Sequence, residues 1–185
     1  MIDERIVTEI LRQRLSPKRY AHSLGVAQSA ADLAERWGED RARAHFAGLV
    51  HDVCKCDTVE NMTRLLEESG HSFIDCERGN AKLLHAPAGA VYLAKEGLCD
   101  DPQILNAVRY HTTGRAGMSL LEKIVFTADL ISAERKYPDV DTVRRLAFAD
   151  LDGAMRYVLH FIINDLERGG KPIHLNSREC LAEKR

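Results

Sequence analysis

At 185 residues the chain is long enough to bury a real core within one domain, and its 45% hydrophobic and 29% charged content is ordinary for a globular protein. A net charge of −2 gives no global basic bias toward nucleic acid or membrane, so any anion site must be local. No apolar run reaches membrane-spanning length, and "MIDERIVTEILRQR" lacks the parts of a signal peptide. Five scattered cysteines (Cys54, Cys56, Cys76, Cys99, Cys180) suit reduced thiols, so the expected location is the cytoplasm.

The punctuation predicts helices throughout. Ser16 and Pro17 read as N-cap and first position of a helix closed by Gly38, with Leu24, Ala27, Ala31 and Ala34 on its apolar face. A second helix is expected over residues 40–55, with Ala44, Ala47, Gly48 and His51 on one stripe. Thr58 caps a third that ends near Gly70, Pro87 opens one that ends at Gly97, and Asp101 and Pro102 start the next, with Ile104, Leu105, Val108 and His111 in phase. Ser119 and Glu122 make a capping-box pattern before "LLEKIVFTADLI", and a long amphipathic helix runs over about residues 150–168 to Gly169 and Gly170. No alternating strand pattern, Gly-rich phosphate loop or internal repeat interrupts this. The reading is an all-α, single-domain helical bundle over 1–185, with a core of about 16–168 and a partly ordered tail over 169–185.

Several ionisable residues fall on small or apolar faces of these helices: His22, the adjacent His51 and Asp52 in "AGLVHDVCKCD", His85, His111 and Asp129. Charged groups there are costly unless paired or bound to metal, and helix ends meeting inside a bundle make a natural metal site. Each residue alone has an ordinary reading as a hydrogen-bonded core group. His51 and Asp52 diverge by about 100° on a helix, so one could face solvent. His45, His71 and His160 sit beside charged or irregular sequence and are left out. Cys54 and Cys56, two apart on a helix, face different ways and do not read as a metal pair.

The order His, His-Asp, His, His, Asp resembles that of HD-domain metal-dependent phosphohydrolases. Beyond the ligands, "KRYAHSLGVAQSAADLAERWG", "AGLVHDVCK", "LLHAPAGA", "VRYHTTGR", "MSLLEKIVFTADLI" and "GKPIH" resemble the YqeK-type family of symmetrical diadenosine tetraphosphate hydrolases. That resemblance implies an HD-domain bundle in which His22, His51 and Asp129 hold one metal, His85 and His111 hold another, and Asp52 bridges. It implies two iron ions; the ligand chemistry by itself allows Fe, Mn, Co or Zn. It also implies hydrolysis of a dinucleoside tetraphosphate at its centre by metal-activated water, giving two ADP.

A polyphosphate needs positive partners. Lys55 and Arg115 are expected at the reacting phosphates with Asp52, and Lys82, Arg135, Thr112 and Thr113 as further phosphate contacts, while Pro172, Ile173 and His174 would flank a base. The family stretch "YIEPNR" is here "LISAER", with Ser132 and Ala133 in place of Glu and Pro, which puts pocket details in question. A nucleotidase acting on a monophosphate and a metal-containing nucleotide sensor are the alternative functions. A homodimer is left open.

Overall fold

The computed structural model describes residues 4–183, so the outermost ends of the expected 1–185 domain lie outside the described residues. Among the described residues there are ten helices and no strand: α1 (Glu4–Arg14), α2 (Pro17–Trp37), α3 (Arg41–Val50), α4 (Val59–Glu68), α5 (Ala81–Lys95), α6 (Pro102–Tyr110), α7 (Leu120–Ile131), α8 (Val140–Ala149), α9 (Leu151–Arg168) and α10 (Leu175–Ala182). None is long and apolar enough to cross a membrane.

The caps expected at Ser16, Thr58 and Ser119 form, as does the start at Asp101, and Asp40 and Asp150 add two more. Ser16, Asp40, Thr58, Asp101 and Asp150 each accept a backbone N–H of the following turn, and Ser119 and Glu122 complete a capping box. Gly38 closes α2 in the left-handed region at φ 80°, a conformation that disfavours any side chain with a Cβ.

Four readings need correction. The helix expected to reach residue 55 ends at Val50. Bonds from Val53 N to Val50 O (3.1 Å) and from Lys55 N to Asp52 O (2.8 Å) then tighten the chain into turns. Pro87 does not open α5 but sits inside it. Asn80 is the cap, accepting from Lys82 N at 3.1 Å, and the proline, seventh in the helix, removes one backbone donor there. Leu24 is 44% exposed; the buried face of α2 carries Val26, Ala27, Ala30, Ala31, Leu33 and Ala34. The segment expected as a tail forms α10, capped by the ring nitrogen Nδ1 of His174 accepting from Asn176 N at 3.1 Å.

Two helices were not expected at all. α1 buries Val7 and Leu11, one turn apart, and α8 buries Val143 and Ala147 at the same spacing. α8 carries no local signal at its start, because Asp139 precedes it in the left-handed region (φ 68°) with no side-chain cap bond.

The core gathers α2, α3, α6 and α7 around Leu33, Phe46, Leu49, Ile104, Leu121 and Ile124. Small residues set the α2–α3 distance: a Cβ on Gly48 would lie 2.9 Å from both Ala27 Cα and Val26 O, so only glycine permits this approach. Trp37 is spent structurally, its indole Nε1 donating to Ala147 O at 2.9 Å and tying α2 to α8.

Candidate metal centre

Five helices deliver the six predicted ligands to one place. His22 lies in the second turn of α2, His51 caps α3 with Asp52 next to it, His85 is in the second turn of α5, His111 caps α6, and Asp129 is in the last turn of α7. His51 and Asp52 do not divide between core and solvent; at 0% and 1% exposure both are buried.

Asp52 stands between two groups. Its Oδ2 faces His51 Nε2 at 3.6 Å and His22 Nε2 at 3.9 Å. Its Oδ1 faces His85 Nε2 at 3.2 Å and His111 Nε2 at 3.5 Å. Asp129 Oδ1 closes the first group, 3.0 Å from His22 Nε2 and 3.9 Å from His51 Nε2. Candidate ligand atoms of His22, His51 and Asp129, and of His51, Asp52 and His111, lie within 4.8 Å of one another in each set.

This arrangement fits a divalent metal. His22 Nε2, His51 Nε2 and Asp52 Oδ1 are buried without a hydrogen-bond partner among the described residues, a costly state that a cation relieves. The donors are imidazole nitrogens and carboxylate oxygens, which suit borderline ions. The rings are also fixed from behind: His51 Nδ1 meets Gly48 O at 2.7 Å, His111 Nδ1 meets Val108 O at 2.7 Å and His85 Nδ1 meets Ala81 O at 3.2 Å. Each Nδ1–H donating to a carbonyl leaves Nε2 as the lone-pair nitrogen, aimed inward.

The expected cations divide. Lys55 Nζ reaches His85 Nε2 at 2.9 Å and Asp52 Oδ1 at 3.5 Å. Arg135 pairs with the Asp129 carboxylate and donates from Nε to Asp129 O at 2.7 Å. Thr112 Oγ1 is 3.1 Å from His111 Nε2 and 3.3 Å from His85 Nε2. Arg115 is turned elsewhere. It forms a two-pronged bond to the buried Glu122 at 2.8 and 3.0 Å and lies over the Tyr110 ring, so its charge holds the start of α7. Thr113 donates its hydroxyl to Gly114 O at 2.9 Å, and Lys82 is exposed on the outside of α5. His174 lines a separate cavity of about 200 Å³ with Leu83, Pro87, Tyr110, Thr113 and Asn176; Pro172 and Ile173 do not line it.

Two site residues escaped the sequence reading. Arg19, one turn before His22, places Nη1 3.4 Å from Asp52 Oδ2; its i, i+3 spacing to His22 was the available signal. Glu134 contacts His22 Nδ1. The "LISAER" stretch, read as a change in the substrate pocket, therefore stands behind His22.

The charges are polarised for a cation. Burial opposes ionisation of Asp52, but His51, His111 and His85 hold its carboxyl well below the usual range. Asp129 is likewise held low against burial, chiefly by His22. Burial pushes His51 down to about 4 from an ordinary 6.5, so the folded protein keeps it neutral while the unfolded chain protonates it. Stability of the metal-free protein is therefore expected to fall between pH 7 and pH 5, by about 1–2 kcal/mol. His22 opposes this in part: despite burial its pKa is raised, by Asp129 and Glu134. Urea unfolding of metal-free protein at the two pH values checks the sign; a higher midpoint at pH 5 would contradict it.

Neither Cys54 nor Cys56 belongs to either candidate ligand group. Cys54 is buried, its thiol pushed up to about 12 chiefly by burial, with Sγ 3.7 Å from Arg14 Nη2, whereas Cys56 is exposed. Cys54→Ser and Cys56→Ser are each expected to retain metal content by elemental analysis, and the Cys56 variant to change stability by no more than about 0.5 kcal/mol.

The family model described as the HD domain matches residues 19–134. A protein of Halalkalibacterium halodurans named bis(5'-nucleosyl)-tetraphosphatase, symmetrical, is 40% identical over 166 residues, covering 90% of this chain and 88% of that one. A Bacillus subtilis protein of the same name is 42% identical over 147 residues, covering 78% and 77%. A crystal structure of an HD superfamily hydrolase from Clostridium acetobutylicum, described as involved in NAD metabolism, superposes with a TM-score of 0.95 at 38% identity, over 98% of this chain and 96% of that one. With the ligand geometry, these matches establish that the chain belongs to the HD-domain family, in the branch of the symmetrical bis(5'-nucleosyl)-tetraphosphatases.

Proposed function

We propose that this protein is a metal-dependent hydrolase that cleaves diadenosine tetraphosphate symmetrically into two ADP. The observation that carries this reading is the Asp52 carboxylate, which presents one oxygen to His22 and His51 and the other to His85 and His111. This is the arrangement expected of a carboxylate shared by two ions, and the resemblance points to two irons. Bound there, divalent metal supplies Lewis acidity to phosphoryl oxygens and lowers the pKa of a coordinated water toward neutrality.

The chain's own residues do the rest. Arg19, Lys55 and Arg135 bring three positive charges to the rim of the cluster, each resting on a site carboxylate. A tetraphosphate entering here meets these cations and the Thr112 hydroxyl, so its phosphates rather than its bases supply most of the binding. The cavity beside His174 is the place for one base, and the walls of Pro87 and Tyr110 give it apolar faces. All five cysteines are free, which supports a reducing, cytoplasmic setting.

Chromatography of products tests the reaction. ADP as sole product from diadenosine tetraphosphate, made in oxygen-18 water with label on its terminal phosphate, is the expected result. AMP plus ATP would mean asymmetrical cleavage and overturn it. Faster release of inorganic phosphate from a nucleoside monophosphate would favour a nucleotidase instead.

A further inference from the structure

Three of the four site histidines have Nδ1 fixed by a main-chain carbonyl: Gly48 for His51, Ala81 for His85 and Val108 for His111. His22 differs. Its Nδ1 meets the carboxylate of Glu134, which the chain brings back from 112 residues away. A carbonyl fixes a ring without adding charge. A carboxylate fixes it and also makes the opposite nitrogen a stronger donor to a metal.

The contact is built rather than incidental. Ser132 Oγ donates to the same Glu134 Oε1 at 2.7 Å, so the carboxylate is steered from its own side. From the other side, α2 carries Gly25 one turn after His22, and a Cβ there would lie 2.9 Å from Glu134 Oε2. Glycine is a poor residue for a helix interior. Its presence here leaves the space that the carboxylate occupies.

We propose that Glu134 is a positioning residue for the metal centre: by holding His22 Nδ1 it makes the His22–His51–Asp129 subsite the tighter of two, and Gly25 keeps its path open. The inference rests on the metal-hydrolase reading above. It assigns the two subsites unequal affinities, with the difference set by a side chain that touches no metal.

The test is Mn²⁺ titration of metal-free full-length protein against a competing chelator, with the melting temperature of the metal-free form measured alongside. Glu134→Gln keeps the size and removes the charge. It is expected to weaken binding of the first ion by about 10–100-fold while the metal-free melting temperature falls by only the few degrees that loss of one partly exposed ion pair costs, and Glu134→Asp to recover part of the affinity. Gly25→Ala displaces the carboxylate from the other side. It is expected to weaken the first ion in the same direction while the metal-free protein melts no lower, because alanine favours the helix. Unchanged first-ion affinity in both Glu134→Gln and Gly25→Ala overturns the proposal and leaves the metal site standing. Absence of Mn²⁺ binding in the wild-type protein overturns the proposal and the metal reading together.

Discussion

Asp52→Ala is expected to lower turnover of diadenosine tetraphosphate by at least about a thousandfold, beyond the effect typical of losing one electrostatic donor, and to deplete the centre of metal. The reason is the division of its two oxygens between two pairs of imidazoles. Asp52 alone among the six side chains turns a different oxygen to each pair. Its removal also leaves four histidines clustered without the carboxylate that balances a bound cation, so metal affinity falls with the chemistry. Elemental analysis beside kcat separates this from a purely catalytic defect, and circular dichroism reports whether the variant folds. Near-normal turnover with metal retained would mean that the site is assigned wrongly.

Lys55→Ala is expected to lower kcat by about 10²–10³-fold, or about 3–4 kcal/mol of barrier, with metal content kept. Lys55 Nζ lies at the His85–Asp52 edge of the cluster, with the side chain 24% exposed. Burial lowers its pKa, while Asp52 and Asp129 favour the charged form. A cation in such a half-desolvated position acts strongly on phosphoryl charge that builds up during the reaction. It is not a metal donor, so its loss leaves the ligand set intact. The contrast with Asp52→Ala is the informative result: one variant loses rate and metal, the other rate alone. Equal metal loss in both would place Lys55 in the scaffold of the centre.

The local features of this chain are legible because their partners are close in sequence. A cap such as Ser16 or Thr58 bonds a backbone N–H three residues away, so residue type and spacing suffice to place it. The helix starts at Ser16, Thr58, Asp101 and Ser119 were readable on those grounds, whereas the helices starting near residues 40 and 150 were placed by their apolar pattern. The starts of α8 and α10 were not, because one follows a left-handed aspartate without a cap bond and the other is capped by a histidine ring. Pro87 shows the opposite failure, a strong local signal overridden by packing, since α5 begins at the Asn80 cap and buries the proline in its middle.

The six ligand positions could be chosen from the order of His and Asp and from the family resemblance. Which nitrogen of each ring points inward, and how Asp52 shares its oxygens, depend on how five helices pack. The same holds for the cations. The sequence reading put Arg115 ahead of Arg135 at the phosphates, yet Arg115 is taken by the buried Glu122 and Arg135 is the one that meets Asp129. Glu134 reads as an ordinary turn residue until α2 and the α7–α8 turn bring it to His22 through the gap at Gly25. Sequence determines such features only through the whole fold. A side-chain direction in the interior is set by every neighbour that excludes the alternatives, and those neighbours are far away along the chain.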